Sequence, residues 1–318
     1  MGAAIALASR GRGRTAPNPS VGCIVVRDGR VVGRGHTGDG GRPHAEAGAL
    51  AEAAEAARGA TAYVTLEPCA HQSTRGPACA DLLVAAGVAR VVAALTDPDP
   101  RTAGNGLERL RGAGIAVSEG VGAAEAAIAA EGFLTRQRLG RPHVTLKLAA
   151  SLDGRIALPS GESRWITGPE ARAHGHLWRA RSEAVLVGRG TFAADRPRLD
   201  VRLAGLDDRA PRRLLLTTGA APEGWEAIPS PGAIAALAGI DHLLVEGGPG
   251  AAAAFLAEDL VDRLLIYRAP IILGAGPACV GDLGLASLAA AHGRWAAAGS
   301  RRLGSDRLEV YHRRRDEN

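Results

Sequence analysis

His44-Ala45-Glu46, Pro68-Cys69 and Cys79 are the residues whose types and spacing could do chemistry. One imidazole and two thiolates make a three-ligand zinc set that leaves a fourth position for water. Zinc-bound water loses a proton near neutral pH and becomes a nucleophile. Glu46 follows His44 by two residues, close enough to face the metal without binding it. That is the place for a group that takes a proton from the water and returns it to a leaving amine. Cys79 opens a helix, where unpaired N–H groups favour a thiolate. The order His-x-Glu, Pro-Cys, Cys is the pattern of hydrolytic deamination of an amino-base. Any one of these residues alone would read as a core or surface residue; the full set, each piece at the end of an element, points to a metal. Cys23, inside a strand, and Cys279, in a Gly/Pro loop, read as plain small residues.

The elements that must position this set alternate between strand and helix. A short helix over 3–10 precedes a hairpin, Val21–Val26 and Arg30–Gly35, turned by Asp28-Gly29. A helix follows from His44 to Arg58, stopped by Gly59. Ala62–Leu66 reads as a buried strand, Cys79–Ala86 as a helix, Arg90–Leu95 as a strand, Leu107–Arg111 as a helix and Ile115–Val117 as a strand. This alternation predicts a three-layer α/β fold. After a helix over 123–138, Gly140-Arg141-Pro142 marks a boundary, giving domains 1–140 and 141–318. The second domain is again α/β, with strands at His143–Ala149, Ala184–Val187, Arg213–Thr217, His242–Val245, Arg263–Tyr267 and Arg307–Tyr311. No Gly-x-Gly-x-x-Gly follows its first strand, so a Rossmann fingerprint is absent. Gly188-Arg189-Gly190-Thr191 and Glu246-Gly247-Gly248-Pro249-Gly250 each follow an apolar strand and could cradle a pyrophosphate on backbone N–H groups.

Bulk composition narrows the partners. Over 318 residues, 46% are hydrophobic but only 3% aromatic, so the cores rest on Ala, Leu, Val and Ile and little is offered for stacking bases. A net charge of +5 is modest for this length and suits an anionic small molecule better than nucleic acid. The apolar runs are broken by Glu, Arg and Gly, so no membrane span is expected. No basic-then-apolar segment opens the chain, so a reducing cytoplasm is the expected compartment. The expected partner is a small molecule, and a homo-oligomer is expected.

Three stretches carry a family resemblance: Pro17-Asn18-Pro19-Ser20-Val21-Gly22-Cys23, Pro43-His44-Ala45-Glu46, and Thr61-Ala62-Tyr63-Val64-Thr65-Leu66-Glu67-Pro68-Cys69-Ala70-His71. Two more lie past the boundary, Leu146-Lys147-Leu148-Ala149-Ala150-Ser151-Leu152-Asp153-Gly154-Arg155 and Ser160-Gly161-Glu162-Ser163-Arg164-Trp165-Ile166-Thr167. Together they resemble the bifunctional deaminase/reductases of riboflavin biosynthesis over nearly the whole chain. The resemblance implies a cytidine-deaminase-like first domain and a dihydrofolate-reductase-like second one. It implies zinc-dependent deamination of 2,5-diamino-6-(5-phosphoribosylamino)pyrimidin-4-one, then NADPH-dependent reduction of the ribosyl chain to ribityl. By resemblance, His44, Cys69 and Cys79 hold Zn2+ and Glu46 is catalytic, while Asn18, His71 and Arg75 approach the pyrimidine substrate. Ala149, Trp165, Thr191, Asp195, Gly248, Pro249 and Gly250 fall near NADPH. Ser163, Arg179, Leu199, Arg202 and Glu246 fall near the sugar phosphate.

The chain departs from the family in several places. The Cys69–Cys79 loop is one residue longer than usual, Asp195-Arg196-Pro197 replaces the common Asp-Asp-Pro, Arg189 occupies a usually small position, and the stretch from Thr217 to Gly239 is shorter than typical, with Thr217-Thr218 replacing an acidic-then-Ser strand end. The alternative is a monofunctional zinc deaminase whose second half is degenerate and non-catalytic. A zinc-stabilised binding protein is a further rival, against which Glu46 argues, since a structural site needs no proton shuttle.

Overall fold

The computed structural model describes residues 1–71 and 76–315, and the chain divides into two compact units, Met1–Arg141 and Pro142–Asn318. The first opens with helix α1 (Gly2–Ala8) and the hairpin of β1 (Gly22–Arg27) and β2 (Arg30–His36). Asp28 and Gly29 both take positive φ, 50° and 74°, the backbone a tight two-residue hairpin turn requires. Helix α2 (Ala45–Ala53) lies against this hairpin, followed by β3 (Thr61–Val64), α3 (Cys79–Ala85), β4 (Arg90–Ala93), α4 (Asn105–Gly112), β5 (Ala116–Glu119), α5 (Ala123–Ala129) and α6 (Glu131–Leu139). The sheet order is β2-β1-β3-β4-β5, antiparallel at the hairpin side and parallel from β3 to β5.

Two glycines decide how closely α2 meets the sheet. A Cβ on Gly33 would lie 2.1 Å from the Ala49 carbonyl, and one on Gly35 would lie 2.0 Å from that of Ala45. Helix and hairpin therefore touch backbone to backbone, which brings the start of α2 down onto the strand ends. Val25, Val64, Leu66, Leu83, Val91, Leu107 and Leu110 fill the core beneath it.

The second unit runs β6 (His143–Ala150), α7 (Pro169–Ala180), β7 (Ala184–Gly188), α8 (Arg189–Asp195), β8 (Arg212–Leu216), β9 (Glu226–Ile228), β10 (His242–Val245), α9 (Pro249–Ala257), β11 (Arg263–Arg268), β12 (Trp295–Leu303) and β13 (Asp306–Arg313). Its eight strands are ordered β12-β13-β11-β6-β10-β7-β8-β9. Strands β11, β6, β10, β7, β8 and β9 pair in parallel, and the β12–β13 hairpin joins antiparallel. The inner parallel strands β7 and β10 are nearly continuous buried runs, as expected where a sheet is covered on both faces.

The elements differ from the sequence reading in three places. The helix expected from His44 to Arg58 ends at Ala53, where Ala54 takes φ 45° and a 3-10 turn follows over Ala54–Ala57. The helix expected over 123–138 is two helices broken at Ala130. Strands β9 and β12 lie outside the expected set.

Candidate active sites

In the first unit the ends of α2, β3 and α3 converge. His44 is the residue before α2, and Cys79 is the first of α3. The Nδ1 of His44 lies 3.2 Å from the Cys79 Sγ and 3.6 Å from the Cys69 Sγ, and all three ligand atoms fall within 4.8 Å of one another. A tetrahedral zinc with bonds of about 2.3 Å to sulfur and about 2.0 Å to nitrogen needs N···S separations near 3.5 Å. The donor set therefore fits zinc in both chemistry and spacing. The backbone N–H of Cys79 donates to the Cys69 sulfur at 3.2 Å. The hydrogen bond from the Cys79 thiol, helped by that backbone N–H, holds Cys69 below its ordinary pKa, and the same thiol bond together with burial pushes Cys79 up.

Glu46, in the first turn of α2, is only 4% exposed. Burial, reinforced by the negative Cys69 sulfur, raises its carboxyl to about 7. Asn18 stands behind the imidazole, its Nδ2 donating to the Gly41 carbonyl at 2.9 Å and lying 3.0 Å from the His44 Nε2. His71 Nδ1 is 3.4 Å from the Thr102 hydroxyl. Arg75 lies outside the described residues.

The loop after β4 closes on these groups. The Glu67 carboxylate, 3% exposed, accepts the backbone N–H groups of Asp97, Gly104, Gly106 and Leu107 at 2.9–3.2 Å. The loop so held carries Asp97, whose carboxyl burial raises to about 6, with the neighbouring Asp99 carboxylate adding to the rise. Sequence reasoning passed over Asp97; its signal was Thr96-Asp97-Pro98-Asp99-Pro100 directly after a buried strand.

In the second unit a cavity of about 1160 Å³ opens at the carboxyl ends of β6, β7, β8 and β10, where open α/β sheets bind their ligands. Ala149, Trp165, Thr191, Asp195 and Gly248-Pro249-Gly250 line it, and so do Ser163, Arg179, Leu199, Arg202 and Glu246. The Thr191 hydroxyl accepts the Gly248 N–H at 2.8 Å, tying together the two Gly-rich turns. A Cβ on Gly248 would fall 2.9 Å from that hydroxyl. Gly248 caps α9, so the free N–H groups of that helix start at the cavity. Trp165 is 64% exposed, with the Arg172 guanidinium 4.7 Å over its ring. Asp195 receives Arg164 at 3.2 Å.

The buried end of the cavity is ionic. Glu246 meets Arg179 in a two-pronged pair at 2.5 and 2.9 Å, with Lys147 Nζ at 3.8 Å. Burial would raise the Glu246 carboxyl, but Arg179 and Lys147 hold it down at about 2. A third Arg179 nitrogen donates to the Asp200 carbonyl at 3.1 Å. Arg202, with a side chain 58% exposed, lies 3.3 Å from the Asp200 carboxylate.

Comparison with known proteins separates the two halves in the same way. Residues 1–95 match the cytidine and deoxycytidylate deaminase zinc-binding region, and residues 142–224 and 233–308 match the RibD C-terminal domain. The riboflavin biosynthesis protein RibD of Escherichia coli is 44% identical, covering 86% of this chain and 88% of its own length. That of Aquifex aeolicus is 40% identical over 90% of each. The chain belongs to the RibD family. The solved RibD of Acinetobacter baumannii superposes with a TM-score of 0.89 at 38% identity, covering 99% of this chain and 98% of that one. The deaminase/reductase of Thermotoga maritima gives 0.88 at 33% identity, covering 99% and 97%.

As a RibD protein, the chain is a bifunctional enzyme of riboflavin biosynthesis with a deaminase half and a reductase half. Both halves are present, so the reading with a degenerate second half falls away. Its cofactors are zinc, at the His44/Cys69/Cys79 site, and NADPH in the reductase half. RibD enzymes act on a small phosphorylated pyrimidine. Among the described residues, no helix is long and apolar enough to cross a membrane.

Proposed function

We propose that the first unit hydrolyses the 2-amino group of 2,5-diamino-6-(5-phosphoribosylamino)pyrimidin-4-one and the second reduces the ribosyl chain of the product to ribityl. The Thermotoga maritima relative is named a deaminase and reductase of these phosphoribosylaminopyrimidines. The observation that carries the reading is Glu46, 4% exposed, beside a three-donor metal set with no fourth protein ligand among the described residues. Bound zinc supplies the Lewis acid that makes a water nucleophilic near neutral pH. Glu46 sits where a carboxyl can take that water's proton and pass it to the departing amine, and its pKa lies near working pH. Asn18 and His71 flank the ring position, with Asp97 at the loop edge.

In the second unit, NADPH supplies the reducing equivalent. The N–H groups at the start of α9 and the Gly248 turn suit its pyrophosphate, and Trp165 offers a flat face beside Ala149 and Asp195. Arg179 spends its fork on Glu246 and the Asp200 carbonyl, so its part is to hold Glu246 charged at the buried end. Arg202 is the freer guanidinium, and it grips the ribose phosphate. The chain works as a homo-oligomer, a reading supported by the exposed edge strand β12 and by Ile272 and Leu288, 75% and 78% exposed; sedimentation that finds only monomer would remove it.

Incubation with the diaminopyrimidinone, with and without NADPH, tests the whole. Mass spectrometry should show the deaminated product alone without NADPH and the ribityl product with it. An unchanged substrate in both would overturn the proposal.

A further inference from the structure

His176 lies on α7, one turn before Arg179, so both side chains share a helix face, and both line the reductase cavity. Both reach the same backbone oxygen: His176 Nδ1 is 3.0 Å from the Asp200 carbonyl, and Arg179 lies 3.1 Å from it. A carbonyl can only accept, so Nδ1 must carry the ring hydrogen. The neutral imidazole then presents Nε2 as a bare lone pair. No described residue meets that nitrogen, and it is not among the buried polar atoms left without a partner, so it is open to the cavity. Burial, and then the Arg179 charge, hold the imidazole below its ordinary pKa, which keeps the lone pair available at neutral pH.

The surrounding groups define what such a lone pair can meet. Lys147 and Arg202 bring further donors to the same cavity, while Arg179 is committed to Glu246 and the Asp200 carbonyl. A phosphate oxygen, itself only an acceptor, would be repelled by this lone pair. A neutral hydroxyl can give its hydrogen to Nε2 and take one from a cationic neighbour. We infer that His176 Nε2 accepts a hydrogen bond from a hydroxyl of the substrate's ribosyl chain, making His176 a specificity-determining residue of the reductase site. The inference rests on the proposed reductase reading and adds a residue to it. The tether to Asp200 fixes the ring before substrate arrives, so little orientation is lost on binding.

The test compares kcat/KM for reduction of the deaminated phosphoribosylamino substrate with that of its 2-deoxyribosyl and 3-deoxyribosyl analogues. The wild-type enzyme should favour the full substrate over one analogue by about 3- to 10-fold, the range of one neutral hydrogen bond. His176→Ala should lose that preference by slowing on the full substrate alone. His176→Phe, which keeps bulk without an acceptor, should do the same if the Ala variant folds poorly, and His176→Gln should restore part of the preference through its amide oxygen. A merely structural role would slow substrate and analogues equally. Discrimination kept intact in the Ala or Phe variant overturns the inference while leaving the reductase reading in place. Arg202→Ala serves as the control, since it should raise KM for substrate and analogues alike. A wild-type enzyme that reduces none of the three would remove both readings.

Discussion

The carboxyl of Glu46 sits where burial and the Cys69 sulfur both push its pKa up, to about 7. A carboxyl in this state can both take and give a proton near neutral pH, which an exposed glutamate cannot. Glu46→Gln should keep zinc and fold but slow deamination at least ~10²-fold, the usual contribution of a general acid or base. Ammonia release by a zinc-loaded variant is the measurement, and a near-normal rate would refute the role. Cys69→Ser and Cys79→Ser should each lose zinc by elemental analysis, because the donors are close enough to serve one ion; full zinc in both would remove the site. At this scale the metal set was legible because its chemistry depends on residue type and on short spacing. The ionic end of the reductase cavity was only partly so. Arg179 and Glu246 stand far apart in the chain, and nothing in the sequence says that the guanidinium is already occupied by the carboxylate. The same gap hid Asp97 and His176, whose significance lies in what surrounds them.

Elements show the opposite balance. Strands β1, β3, β4, β7 and β10 were legible as buried apolar runs, and the β1–β2 turn as Asp-Gly. Strand β12 was not, because Ala296-Ala297-Ala298-Gly299 has no β-branched or aromatic residue and its residues are largely exposed. Its place in the sheet comes from pairing with β13. That strand also carries Arg301, which donates to the Nε2 of His174 on α7, while the other ring nitrogen meets the Tyr267 hydroxyl of β11 at 2.7 Å. Burial, then the Arg301 and Arg181 charges, lower His174 from 6.5 to about 4. The unfolded chain therefore binds the proton more readily than the folded one, and stability present above about 6.5 is lost as pH falls towards 4. Calorimetry of the wild type and His174→Asn at pH 7 and pH 5 should show a smaller pH-dependent fall in Tm for the variant; equal falls would show that this histidine contributes nothing. In the first unit, Glu67→Ala removes an acceptor shared by four backbone N–H groups. It should destabilise that unit by about 2–4 kcal/mol and loosen the Asp97 loop, read as faster amide exchange over residues 96–107.

At the scale of the whole molecule, the residues proposed for each reaction fall within one compact unit. His44, Glu46, Cys69 and Cys79 all belong to Met1–Arg141, and Lys147, Arg179, Arg202 and Glu246 all belong to Pro142–Asn318. The arrangement follows from the layers themselves, since each sheet gathers its functional groups at its own strand and helix ends. Glu46→Gln should therefore reduce already deaminated substrate at the wild-type rate. Arg202→Glu places a carboxylate where the phosphate would bind and should abolish reduction while deamination continues. The two variants mixed in one vessel with NADPH should carry the diaminopyrimidinone through to the ribityl product, after a lag in which the free deaminated intermediate accumulates. Mass spectrometry over time distinguishes the outcomes. A mixture that stops at the deaminated pyrimidine, although each variant performs its own half-reaction alone, would mean that the intermediate must pass within one chain.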